Sequence, residues 1–255
     1  MKTLKYSYLL IFLLFFISCE TNSDEVQPTA TLEINISHLV NGEPVVFNTK
    51  RYFNAVGNEY NILEFKYFLS NVKLRNRTTG ALYLVPESYY LVEPTENEHI
   101  VKISIPGIPK ETFNELEFAL GVDNSKNYSI DNIGALDPSS NMAWDWNTGY
   151  KFLLLEGKFF PANSSETRGL IYHIGSDANY RILKFPFAAE NQNSIVFNAN
   201  AMIKANFEVE ISEIFRTPTE VDFETHNVVM FEAFSRNIAD NYANNMFKFL
   251  NAVVE

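Results

Sequence analysis

The sequence predicts a mainly β protein: an antiparallel β-sandwich closed by one C-terminal amphipathic helix. Aromatic residues are abundant, with 22 Phe and 13 Tyr among 255 residues, and with the β-branched types they fit a pleated, half-buried surface. Apolar runs are short and separated by turn signals, with no long helical pattern between them, as in sandwiches rather than α/β folds. One late stretch, residues 227–250, changes period from two to three or four.

Residues 1–19 are a secretory signal: Lys2 and Lys5 precede an apolar run from Tyr8 to Ile17, which ends at Ser18-Cys19. That run falls short of the roughly 20 apolar residues a spanning helix needs. Cys19 is the only cysteine, so no intramolecular disulfide forms. A cysteine at the end of a signal resembles the lipobox of bacterial lipoproteins, in which the thiol is lipidated and holds the protein to a membrane. Residues 20–30 are polar and acidic and lack a core pattern, so they read as a flexible tether. An acidic patch just after the cysteine resembles the surface-export signal of Bacteroidetes lipoproteins. The expected location is the outer membrane or cell surface.

The remaining residues, 31–255, form one domain without an internal repeat or linker. Residues 31–39 alternate apolar and polar, and Asn41-Gly42 then turns the chain. Further strands are expected at 45–47, 60–63, 64–74, 82–85, 89–92 and 100–105, where Pro106 and Pro109 interrupt the pattern. Others follow at 115–119, 150–158, 170–174, 180–187, 193–198 and 202–214. In the last stretch Val228, Phe231, Phe234, Ile238, Tyr242, Met246 and Phe249 recur at helical spacing. This predicts a helix over 227–250 with Asn237, Asn241, Asn244 and Asn245 on its wet face.

Loss of the signal removes Lys2 and Lys5, leaving 18 basic against 31 acidic residues, a formal charge of about −13. Such acidity opposes nucleic-acid binding, which depends on lysine and arginine. It permits a cation ligand without requiring one. Gly-x-Ser-x-Gly, His-Glu-x-x-His and phosphate-binding glycine loops are absent, and the expectation is a non-catalytic protein.

Several motifs carry a family resemblance. They are Tyr67-Phe68-Leu69-Ser70-Asn71-Val72-Lys73-Leu74; Leu120-Gly121-Val122-Asp123; Leu136-Asp137-Pro138; Met142-x-Trp144-x-Trp146-Asn147-x-Gly149-Tyr150; Leu155-Glu156-Gly157; and Tyr172-His173-Ile174-Gly175. In this order they resemble the MbnP-like copper-binding domain, related to proteins of methanobactin operons and to methanotroph surface copper proteins. The resemblance implies a secreted, mostly β domain that binds copper through histidines and a kynurenine made by oxidising a tryptophan. It also implies a di-haem, peroxidase-like partner that performs the oxidation. The positions that match are His38, His173, and Trp144 or Trp146.

Copper favours imidazole ligands, and the chain has His38, His99, His173 and His226, none paired at metal-ligand spacing. Any centre must therefore be assembled from distant strands. His38, His173 and His226 are the candidate ligands, with Trp144 and Trp146 lining the site or modified in it. His99 reads as a solvated loop residue. His173 falls between Tyr172 and Ile174, so alternation puts it on the face opposite them. His226, after Thr225, is also a helix-end candidate. Glu156 is a possible carboxylate donor or a partner of Lys151 or Lys158. Asp123, Asn124, Asn127, Asp131 and Asp137 fit turn formation better than calcium binding. The tryptophan pair also admits core packing, or a metal-free surface module that stacks a glycan or contacts a partner protein.

Overall fold

The computed structural model describes residues 28–129, 131–144, 148–187 and 194–255. The predicted signal, Cys19, most of the tether and Trp146 lie outside them. Two packed sheets and a small two-stranded ribbon make up the fold, a mainly β architecture with one helix near the C-terminus, as the sequence predicts.

The smaller sheet grows from the strand Ala30–Val40, whose burial alternates strictly along its length. Ala30, Leu32, Ile34, Ile36, His38 and Val40 all point inward, the period-two pattern of a strand with one face on the core. On one edge it pairs antiparallel with Ile100–Ile108. On the other it pairs parallel with Met202–Glu210, from Thr31 opposite Met202 to Leu39 opposite Glu210. The sandwich is therefore mixed rather than wholly antiparallel. A parallel pair needs a long crossover, and here residues 41–201 lie between the two strands. Short-range turn signals carry no information about such a partner.

The larger sheet is organised by the 17-residue strand Glu59–Arg75, which unites the two separate strands expected at 60–63 and 64–74. Lys151–Phe160 pairs with it over 59–67 and Glu115–Leu120 over 69–75. Arg168–Gly175 then adds antiparallel to Lys151–Phe160. Phe65, Tyr67, Leu153, Leu155, Tyr172 and Ile174 face the smaller sheet and meet Ile34, Ile36, Phe207 and Val209 in the main core. Phe68, Phe152 and Leu154 face the other way, into a second core with Val122, Leu136, Met142 and Tyr150. The run Phe152-Leu153-Leu154-Leu155 is apolar at every position because Val122, Leu136, Met142 and Tyr150 cover its outer face.

The C-terminal helix is shorter than expected. Only Ser235–Asn244 is helical. Val228–Val229 forms a two-residue strand parallel to Ile171 and Tyr172, and Phe247–Val254 is the edge strand of the smaller sheet, antiparallel to Met202–Glu210. Apolar residues spaced three and four apart also satisfy two short strands flanking a helix, and tertiary pairing decided the matter. Residues 211–214, expected to extend a strand, lie in the 3-10 turn Ile211–Phe215.

Asn241 corrects the expected wet face. It is wholly buried, donates to the carbonyls of Ile214 at 2.8 Å and Thr219 at 2.7 Å, and accepts from the Thr219 N–H at 2.8 Å. It pins the chain entering the helix. Asn241→Ala leaves those buried backbone groups without their partner and is expected to cost about 3 kcal/mol, read from the denaturant midpoint; a loss below about 1 kcal/mol contradicts this role.

Candidate metal centre

The family motifs converge at one end of the large sheet, and most of their residues build scaffold. Ser70 donates to the Gly121 carbonyl at 2.7 Å. Asn71, at φ 54°, donates to Asp123 and to the Tyr180 hydroxyl, each at 2.8 Å. Asp123 caps the turn Asn124–Asn127 and Asp137 caps Pro138–Ser140, the turn chemistry expected of them. Asn127 accepts the Tyr150 N–H at 2.9 Å. Gly149 passes so close to Asn127 that a β-carbon on it would lie 2.5 Å from the Asn127 side-chain oxygen.

These contacts deliver Trp144 to the outer face of the large sheet. A β-carbon on Gly175 would lie 2.5 Å from the indole Cζ3 of Trp144 and 2.3 Å from the Tyr150 carbonyl oxygen. The missing side chain at Gly175 is thus the seat of the indole. Phe231 packs on Trp144 with ring centroids 4.5 Å apart. His173 lies two residues before Gly175 on the same face, so the tryptophan block and the His-x-Gly strand meet in space.

His173 pairs with Glu156 on the neighbouring strand, Nε2 to Oε1 at 2.8 Å. Its side chain is 12% exposed and that of Glu156 39%. A carboxylate only accepts, so Nε2–H donates and Nδ1 carries the lone pair of the neutral ring. An imidazole whose second nitrogen is held by a carboxylate is the arrangement that orients a metal-ligating histidine. Burial lowers the His173 pKa, Lys151 adds to the effect and Glu156 opposes it. The ring is therefore neutral and able to coordinate at neutral pH.

His38 is placed quite differently. It is fully buried between the sheets. Its Nδ1 lies 3.0 Å from the His99 carbonyl and its Nε2 3.0 Å from the Tyr67 hydroxyl. The carbonyl accepts from Nδ1–H, so the Nε2 lone pair accepts from Tyr67, and the electrons a metal would need are already engaged. Burial pulls its pKa down to about 4. Tyr67 faces the main core, whereas His173 is on the other face of that sheet. His226 stacks on Phe234 at 3.7 Å and contacts the Thr225 hydroxyl through Nδ1 at 2.8 Å. It ends the short helix Phe223–His226.

The expected gathering of His38, His173 and His226 around the indoles is not what the structure shows. Among the described residues no group of three or more His, Cys, Asp or Glu side chains converges as a metal site. Strand alternation puts His38 and His173 on opposite sides of the large sheet, which sequence separation could not reveal. His173 is the one of these imidazoles with a carboxylate-held ring on the face that carries Trp144, and the described residues do not form a three-histidine centre. Trp144 sits on Gly175, two residues along the strand from His173; Trp146 lies outside the described residues. The cross-strand partner Glu156 and the seat Gly175 both belong to the motifs of the family, but their roles depend on register.

A two-sheet β domain carrying a histidine–carboxylate pair beside a seated tryptophan is the class that fold and site define. The model of the MbnP family matches residues 29–231, and the chain belongs to that family. MbnP from Methylosinus trichosporium has a similar fold, with a TM-score of 0.53 and 14% identity over 80% of this chain and 81% of that one. At this identity the likeness is one of fold. No curated protein matches the chain.

Proposed function

We propose that the protein is a non-catalytic copper-binding lipoprotein, held outside the cytoplasm by lipid on Cys19, that captures or passes on copper. One observation carries the reading beyond family membership: Trp144 is seated on Gly175, two residues along the strand from His173, which pairs with Glu156. His173 would supply an imidazole nitrogen and Glu156 would hold its ring in the coordinating tautomer. A site of so few protein donors would hold copper weakly enough to release it to a carrier. The tether would place the domain at the outer membrane or cell surface, and a di-haem partner would oxidise Trp144 or Trp146.

The test is copper titration of the soluble chain without residues 1–19, with metal analysis and intact mass. His173→Ala is expected to weaken binding at least about tenfold, and Glu156→Ala by a comparable factor, because the ring loses the carboxylate that orients it. His226→Ala should leave binding unchanged. Copper held as tightly by His173→Ala as by the parent protein would remove the site. A second reading, a metal-free module for a glycan or partner protein, draws on Phe231, which is 64% exposed over Trp144. Tryptophan fluorescence quenched by oligosaccharide and indifferent to copper would favour it.

A further inference from the structure

We propose that the end of the sandwich from which the tether leaves is a membrane-contact face, laid on the lipid bilayer by exposed apolar side chains; this rests on the lipoprotein reading above. The first strand starts at Ala30. Ala30 stands opposite Ile108, and Thr31 stands opposite Met202, whose main chain exchanges hydrogen bonds with Glu255. The Thr29 carbonyl accepts from the Asn200 N–H at 3.0 Å. The large sheet reaches the same end through the strand Leu82–Leu84, which pairs with residues 73–75. There the Tyr83 hydroxyl donates to the Gly107 carbonyl at 3.1 Å, next to Ile108. The start of the first strand and the end of the long strand Glu59–Arg75 are thus gathered at one end.

The two-stranded ribbon closes that end. Glu111–Phe113 pairs with Ile195–Phe197, and Phe113, Ile195 and Phe197 turn into the main core, so alternation points Val196 outward. Val196, Met202, Val253 and Val254 are exposed there, with Leu82 and Leu84 on the flank, each by between 37% and 55%. Lys110, beside the ribbon, is exposed as well, and a lysine stem can lie on lipid while its ammonium stays in water. Apolar side chains gathered on one end mark an interaction face, and their burial in the bilayer interface adds to the hold of a lipid anchor.

Reach selects the bilayer as the partner of this end. Pro28 follows Cys19 by nine residues, which span at most about 32 Å at full extension. A competing apolar pair, Phe53 and Val56, is exposed at the opposite end, where Phe53 stands opposite Glu59, the first residue of the 17-residue strand Glu59–Arg75. A strand of that length spans roughly 50 Å. A domain standing on Phe53 and Val56 would lift Pro28 beyond the reach of a lipid on Cys19. A domain standing on the tethered end leaves the same segment unstretched.

The experiment uses the full lipidated protein, extracted from membranes and reconstituted in phosphatidylethanolamine–phosphatidylglycerol vesicles. Lipid occupies the Cys19 thiol, so Val196→Cys and Val56→Cys each offer a single thiol to an environment-sensitive dye. The dye at 196 is expected to shift its emission to the blue on vesicles and to lose intensity when the acyl chains are brominated; the dye at 56 is expected to do neither. Adding Met202→Glu and Val253→Glu should abolish the response at 196 while the protein still sediments with the vesicles, with thermal unfolding showing that the variant is folded. Leu84→Glu, on the flank, is the second variant if that pair fails to fold, and should weaken the response. A silent dye at 196, or a response at 56, overturns the membrane face and leaves the anchor standing. Protein whose mass shows no acyl chain, and which does not sediment with vesicles, overturns the anchor and this inference with it.

Discussion

Gly175→Ala is expected to destabilise the domain by on the order of 3 kcal/mol and to unseat Trp144. The added carbon would sit 2.3 Å from the Tyr150 carbonyl oxygen and 2.5 Å from the indole, both far inside van der Waals contact. Neither neighbour yields easily. Tyr150 lies in the second core, with its hydroxyl bonded to Asn132 and Leu136 and its N–H to Asn127. Trp144 is held by a backbone bond to the Gly149 carbonyl at 3.1 Å and by Phe231. The less costly relaxation is rotation of the indole away from the sheet, which would move the tryptophan block off His173. A red-shifted tryptophan emission, a lower unfolding midpoint and weakened copper uptake should therefore appear together. A variant with parent-like stability and emission would show that the seat is not needed.

The second large effect is a pH dependence owed to His38. Its ordinary pKa of 6.5 falls to about 4 in the folded protein because burial disfavours the charged ring. Below about pH 6.5 the unfolded chain takes up a proton that the folded chain does not, so protonation favours unfolding. The contribution is complete above pH 6.5 and is lost as pH falls toward 4. Its full size is about 3 kcal/mol. Denaturant unfolding followed from pH 7 down to 4 should show this decline in the parent protein, and His38→Gln should flatten it. Asp123 and Glu117 are held below the usual carboxylate range by the bonds that offset their burial. Their own losses come at lower pH and are shared by both proteins. An NMR titration placing the His38 ring near 6.5, or equal slopes in parent and variant, would be incompatible with the buried, neutral histidine.

Much of the architecture was legible along the chain. The alternation from Leu32 to Ile36 names the inward face of the first strand without any knowledge of its partners. The placement of His173 opposite Tyr172 and Ile174 follows from the same rule. The limits of this reasoning are equally specific. Helical spacing over 227–250 describes a helix only between Ser235 and Asn244, because Val228 and Phe249 pair with strands from elsewhere in the chain and Phe231 packs on Trp144. Asn241 looks like a surface residue in any composition-based reading, yet it is buried because a loop more than 20 residues earlier needs its amide.

The site shows the same division. Copper-suited imidazoles, a tryptophan pair and the motifs of the family are properties of the linear chain, since they depend on residue type and local spacing. Which imidazoles can share an ion is a property of sheet order and register. His38 and His173 are each unambiguous as strand residues, but the large sheet separates them, and His173 instead gains Glu156, with Trp144 seated two residues along its strand. Periodicity determines which way a side chain points from its own strand. Only the pairing of strands remote in sequence decides what it meets there.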